Sequence, residues 1–122
     1  MAETEEICRN IPHADIESMA EALSQIRGRV FCIGLGGSLA NAIHMAADFR
    51  KLCQIDAEAV ANVAEITARA NDEGVQSIFD GVRISSDDAV FVLSVGGGTS
   101  TVSMAITNTL ERATSEGARI FA

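Results

Sequence analysis

Apolar and polar positions along this chain follow two different periods, and the switches between them outline its elements. From Asp15 to Arg27, Ile16, Met19, Ala20, Leu23 and Ile26 recur at the spacing of one helix face. Gly28 follows where a C-terminal cap belongs. Arg29 to Ile33 is a short, largely apolar run bounded by glycines, the pattern of a strand covered on both faces in a parallel sheet. A helical stretch from Leu39 to about Lys51 offers Ala42, Ile43, Ala46, Ala47 and Phe49 for packing. Glu58 to Ala61 is a short second strand. Asn62 with Glu65 three residues later forms a capping box that opens a helix through Ala70, closing near Asn71-Asp72-Glu73-Gly74. A further short helix is expected from Val75 to about Val82. Ala89 to Val95 is the most continuous strand. Behind it Val102, Ala105, Ile106, Leu110 and Ala113 predict a helix capped by Thr99 or Ser100 and ended by Gly117, before a last strand, Ala118 to Ala122.

Strands that alternate with helices predict an α/β fold, an open parallel sheet flanked by helices on both faces. Ligands of such sheets sit beyond the carboxyl ends of the strands. Two glycine loops lie at those ends, Gly34-Leu35-Gly36-Gly37-Ser38 and Gly96-Gly97-Gly98, and they open onto one crevice if their strands are neighbours. No helix follows the last strand, so we expect a fold truncated at its C-terminus.

Composition narrows the class. A length of 122 residues suits one domain, and 48% apolar residues with one proline exclude a disordered or low-complexity chain. A formal charge of -8 with no Lys/Arg cluster argues against nucleic acid. The acidic start Met-Ala-Glu-Thr-Glu-Glu is unlike a signal peptide, and no apolar run approaches the roughly 18 residues of a membrane helix. A cytoplasmic protein is expected. Cys8, Cys32 and Cys53 are odd in number and without C-x-x-C spacing, so we expect reduced, mostly buried thiols.

A glycine turn feeding a helix presents backbone N–H groups at the positive end of the helix dipole, a ready site for an anion. Ser38, Ser94, Thr99 and Ser100 surround the two loops with hydroxyl donors. Tight turning alone is the other use of such glycines. A dinucleotide fingerprint starting at Gly34 fails at Leu39, and no lysine completes a phosphate loop of the G-x-x-x-x-G-K type. Asn41, His44 and Asp48 fall at i, i+3 and i+7, a polar stripe on an alanine-rich helix. His44 and Asp48 can put an imidazole and a carboxylate on one divalent metal, or act as an acid/base pair. An ordinary exposed face with a weak His–Asp pair has the same pattern.

The run from Gly34 to Phe49 resembles the first ligand loop and helix of sugar-isomerase (SIS) domains, nearest to phosphoheptose isomerases with their G-N-G-G-S loop and H-F-A-x-E-L helix. Asn71-Asp72-Glu73-Gly74 with Ile78-Phe79 resembles that family's N-D-x-G-F segment, and Leu93-Ser94-Val95-Gly96-Gly97-Gly98-Thr99 its I-S-T-S-G-N-S phosphate loop. The resemblance divides the chain into an N-terminal helical segment, 1–28, and an incomplete phosphosugar-binding domain, 29–122. It implies carbohydrate metabolism and heptose biosynthesis: a homotetramer that isomerises sedoheptulose 7-phosphate to glycero-manno-heptose 7-phosphate through an enediol, with zinc nearby. His44 and Asp48 would be metal ligands and Asp48 the proton-transfer base. Gly36, Gly37, Ser38, Asp48, Asn71 and Asp72 would meet the sugar, and Ser94, Gly96 and Thr99 its phosphate. Departures are Leu35 for the loop Asn, Asp48 for a glutamate, Val95 and Gly96 for two polar phosphate-loop residues, and the absence of the family's C-terminal Gln and His. The resemblance therefore also fits a non-catalytic SIS module that binds a phosphosugar as regulator or assembles around a partner.

Overall fold

The computed structural model describes residues 1–99 and 101–122; Ser100, one of the two expected caps, lies outside the described residues. The element order is α1 (Ala2–Arg9), α2 (His13–Ser24), β1 (Val30–Gly34), α3 (Gly37–Cys53), β2 (Ala57–Ala59), α4 (Val63–Asp72), a 3-10 turn (Val75–Ser77), β3 (Ala89–Leu93), α5 (Met104–Glu116) and β4 (Arg119–Phe121). All strand pairs are parallel and the sheet order is β2-β1-β3-β4, with Val30 opposite Ala57 and Ala89, and Ala89 opposite Arg119. The expected open parallel α/β sheet is present.

Alternation along the strands sorts the core onto two faces. Phe31, Ile33, Val90 and Val92 face Phe79, Ile84 and the α5 residues Ala105, Ile106 and Ala113. Val30, Cys32 and Ala89 face Leu23 of α2 and Ala42 and Ala46 of α3. Both central strands are thus covered twice, which is why their sequences read as apolar runs rather than as alternations. Ala42 and Ala46 are almost fully buried, so their small side chains let α3 lie close on the sheet.

Several local expectations are corrected. The first long helix is α2 and ends at Ser24, and Gly28 caps nothing. Its N–H donates to the Asp87 carbonyl at 2.8 Å, and a β-carbon there would fall onto the Asp87–Asp88 backbone and carboxylate, so close approach is what requires glycine. The helix expected at Val75 to Val82 reduces to the 3-10 turn. Side chains of α5 take its carbonyls instead: Arg112 donates to the Phe79, Asp80 and Val82 oxygens at 2.8, 3.3 and 3.1 Å, and Asn108 to the Gln76 oxygen at 3.1 Å. Half of the capping box forms. Asn62 Oδ1 accepts from Glu65 N at 3.2 Å, while the Glu65 carboxylate accepts from Arg69 rather than from the Asn62 amide.

The last helix starts at Met104, so Val102 is exposed instead of packed, and Thr99 Oγ1 accepts from Val102 N at 2.9 Å in the turn ahead of the helix rather than capping it. Gly117 does end α5, at φ 75°. Cys8 and Cys53 are exposed, and only Cys32 is buried. Its thiol pKa is pushed up to about 11 by burial, against the opposing charge of Arg50. Ile16 and Ile43, expected on packing faces, are also about half exposed.

Candidate phosphate site at the switch point

After β1 the chain goes out to β2 on one side, and it returns across β1 to β3 and β4 on the other. The order therefore reverses between β1 and β3, where loops diverge and leave a crevice. Both glycine loops leave the sheet there.

Each glycine has its own reason. A β-carbon on Gly34 would stand 2.6 and 2.7 Å from the Ser38 carbonyl carbon and oxygen, so the bare backbone lets α3 turn directly off the strand. Gly36, at φ 57° and ψ -126°, takes a backbone shape reserved for glycine and caps α3. Around Gly36, Gly37, Gly96 and Gly97 a β-carbon would meet nothing within 4 Å. Four consecutive-pair glycines thus leave backbone facing open space where a ligand can approach. Within α3 the first amide with a protein partner is Ser38 N, donating to the Leu35 oxygen at 3.1 Å. Leu39 N and Ala40 N donate to the Gly36 oxygen at 3.1 and 3.4 Å, so among the described residues Gly37 N is the one amide of this first turn without a protein acceptor, at the positively polarised end of α3.

Between the loops lies a cavity of about 500 Å³ lined by Leu35, Ser38, Ser94, Val95, Gly96, Gly98, Thr99, Val102 and Ser103. Among the described residues four hydroxyls line it and no charged side chain does. Ser94 Oγ accepts from Gly97 N at 3.0 Å, which folds the second loop and leaves the hydroxyl hydrogen to donate. Ser38, Ser94, Gly96 and Thr99, singled out from sequence, come together here. Gly36 and Gly37 do not line this cavity and sit exposed at the start of α3. Ser103 and Val102 were missed because the expected helix placed them inside its first turns. Ser103 instead adopts a left-handed conformation, φ 55°, as the residue before α5.

The other candidates lie apart from this cavity. Asn41, His44 and Asp48 occupy the outward face of α3, and His44 Nε2 stands 3.3 Å from Asp48 Oδ2 with side chains 79% and 50% exposed. Water reaches this pair freely, so it adds little to stability. Asn71 and Asp72 end α4, where the Asn71 amide donates to the Asp72 carboxylate at 2.7 Å, and both are exposed.

Zinc takes three or four N, S or O ligands. Among the described residues no group of three or more His, Cys, Asp or Glu comes together, so His44 and Asp48 by themselves do not fit a zinc site. Among the described residues no helix is long and apolar enough to cross a membrane.

The fold is that of an open, doubly wound α/β sheet with a hydroxyl-lined cavity at its switch point. The chain has the fold of phosphoheptose isomerase GmhA from Neisseria gonorrhoeae, with a TM-score of 0.78 and 20% identity over 96% of this chain and 64% of that one. It spans just under two thirds of that protein's length. No family model and no curated protein matches the sequence.

Proposed function

We propose that this chain is a phosphosugar isomerase domain that holds the phosphate of its substrate between the two glycine loops. One observation carries this: the loops after β1 and β3 meet at a single cavity whose lining, among the described residues, offers four hydroxyls and no charged side chain. A chain of net charge -8 would repel a phosphate diffusely, yet short-range donors fixed on a rigid sheet hold it locally. Ser38, Ser94, Thr99 and Ser103 would donate to phosphate oxygens alongside the Gly96 amide, with the Gly36 and Gly37 amides, beside the cavity, toward the sugar. The resemblance offers sedoheptulose 7-phosphate as the first substrate to try, with Asn71 and Asp72 toward the sugar.

Isomerisation to the aldose moves a proton from C1 to C2 through an enediol and changes no oxidation state overall, so one carboxylate base can serve both halves. Asp48 is the candidate base, oriented by His44. If zinc takes part, these two side chains supply only two of its ligands, and further ones come from outside them. The same reading carries a cytoplasmic homo-oligomer, a tetramer by the resemblance.

Exposure of the His44–Asp48 pair outside the cavity favours a second reading, a module that binds the phosphosugar without turning it over. Thermal unfolding of the chain with sedoheptulose 7-phosphate or inorganic phosphate, with zinc or chelator, tests both together with an assay for the aldose product. A ligand that binds only the folded state raises the melting point. A rise with turnover supports the isomerase, and a rise without turnover supports the binding module. No rise with either phosphate would overturn both.

A further inference from the structure

A second, partly apolar cavity lies at the other end of the sheet, between the C-terminal turns of α2 and α3. It has a volume of about 530 Å³, within the usual range for small-molecule sites. Leu23 of α2 and Ile26, just after that helix, line it together with Phe49 and Ile55. Gln54, in a left-handed conformation at φ 57°, ends α3 and turns the chain back so that Ile55 N donates to the Phe49 oxygen at 3.0 Å, which fixes one wall.

Two charged residues line the cavity, Arg27 and Asp56. Asp56 is engaged, its carboxylate 3.4 Å from Arg29 Nε. No ion pair or hydrogen bond is formed by the Arg27 side chain among the described residues. The unmatched charge of the wall is therefore a single cation above an apolar floor. From these features we infer that this cavity is a second ligand site, separate from the glycine loops, for a small organic anion with an apolar, ring-sized body. The body packs on Phe49 and the aliphatic side chains, and the anionic group meets Arg27. The exposed thiol of Cys53 stands in the lining and reports occupancy.

The probe is 1-anilinonaphthalene-8-sulfonate, an apolar ring system with one sulfonate, followed by its fluorescence on the full chain under conditions where unfolding is cooperative. We expect one site per chain. Ala20→Trp, at an exposed position of the lining, should fill the mouth and weaken binding about tenfold or more, and Arg27→Glu should do likewise by charge reversal. In a Cys8→Ser background the saturating probe should slow alkylation of Cys53, while inorganic phosphate should neither displace the probe nor protect the thiol. Unchanged binding in both variants, an unprotected Cys53, or displacement by phosphate would each overturn the assignment. Because both variants lie outside the glycine loops, a phosphate-induced rise in melting point should survive them, and that separates failure of this site from failure of the phosphate site.

Discussion

Alanine placed at Gly34, Gly36 and Gly37 in turn is the sharpest test of how the first glycine loop works, because one chemical change should give three different results. At Gly34 the new methyl would lie 2.6 Å from the Ser38 carbonyl carbon and 2.7 Å from its oxygen. Both are backbone atoms of the first turn of α3, so relief requires the helix to move off β1, between Ala42 and Ala46 and the sheet they pack on. Overpacking of this kind costs about 1 to 3 kcal/mol. At Gly36 nothing obstructs the methyl, and the cost is that of holding a side chain at φ 57° and ψ -126°, a conformation reserved for glycine, about 1 to 3 kcal/mol. Gly37 is helical, its surroundings are open and its φ is not positive, so alanine there should leave stability unchanged or raise it by up to about 1 kcal/mol. Urea unfolding gives the three values. For a chain of this length, 1 kcal/mol corresponds to about 3 to 5 °C in melting point. The phosphate-induced rise should still shrink for Gly37→Ala, because its methyl would occupy the space through which a ligand nears the backbone. Equal stability for Gly34→Ala and Gly37→Ala would refute the claim that the Gly34–Ser38 approach sets the seat of α3.

The remaining predictions concern charge and thiols. Asp88 accepts from Arg29 N at 2.7 Å and from Ser85 N and Oγ at 2.8 and 2.9 Å. Partial burial raises its pKa, but these hydrogen bonds and the Arg29 charge outweigh it and hold the folded value below 3.8. Its contribution is therefore complete above pH 3.8 and lost as pH falls through the folded value, so Asp88→Asn should flatten the acid limb of stability. It should also cost about 1 to 2 kcal/mol near neutrality, with partial exposure limiting the loss. An acid limb identical to that of the unmodified chain would sink this account. His44→Ala and Asp48→Asn should each change stability by less than about 0.5 kcal/mol, since the pair is exposed. Both should abolish any isomerisation while leaving the phosphate-induced rise intact, read by melting curves beside product assays. Iodoacetamide at neutral pH should label Cys8 and Cys53 and spare Cys32 until the chain unfolds, as mass mapping would check.

Local chemistry made much of this protein legible in its sequence. The apolar runs at Val30 and Ala89 can be satisfied only between two layers of helices, and parallel strands followed by glycine loops put anion donors at one sheet end whatever the later packing. Gly117 after a helical run and Asn62 before one fixed their helix ends through backbone geometry and a side-chain acceptor that act within a few residues. Other features were settled by distant parts of the chain. Val75 to Val82 has the composition of a helix, yet Arg112 and Asn108, about thirty residues away, supply its carbonyls with donors and remove the need for one. Gly28 serves the Asp87–Asp88 loop rather than its own helix, and no pattern within α2 shows that. Spacing put His44 and Asp48 on one face of α3, but only the direction in which that helix leaves the sheet turns the face to solvent while Ser103, unmarked by any motif, enters the cavity. Short-range rules determine which residues bond to their neighbours; which side chains share a cavity depends on how whole elements cross, and that is decided by packing across the sheet.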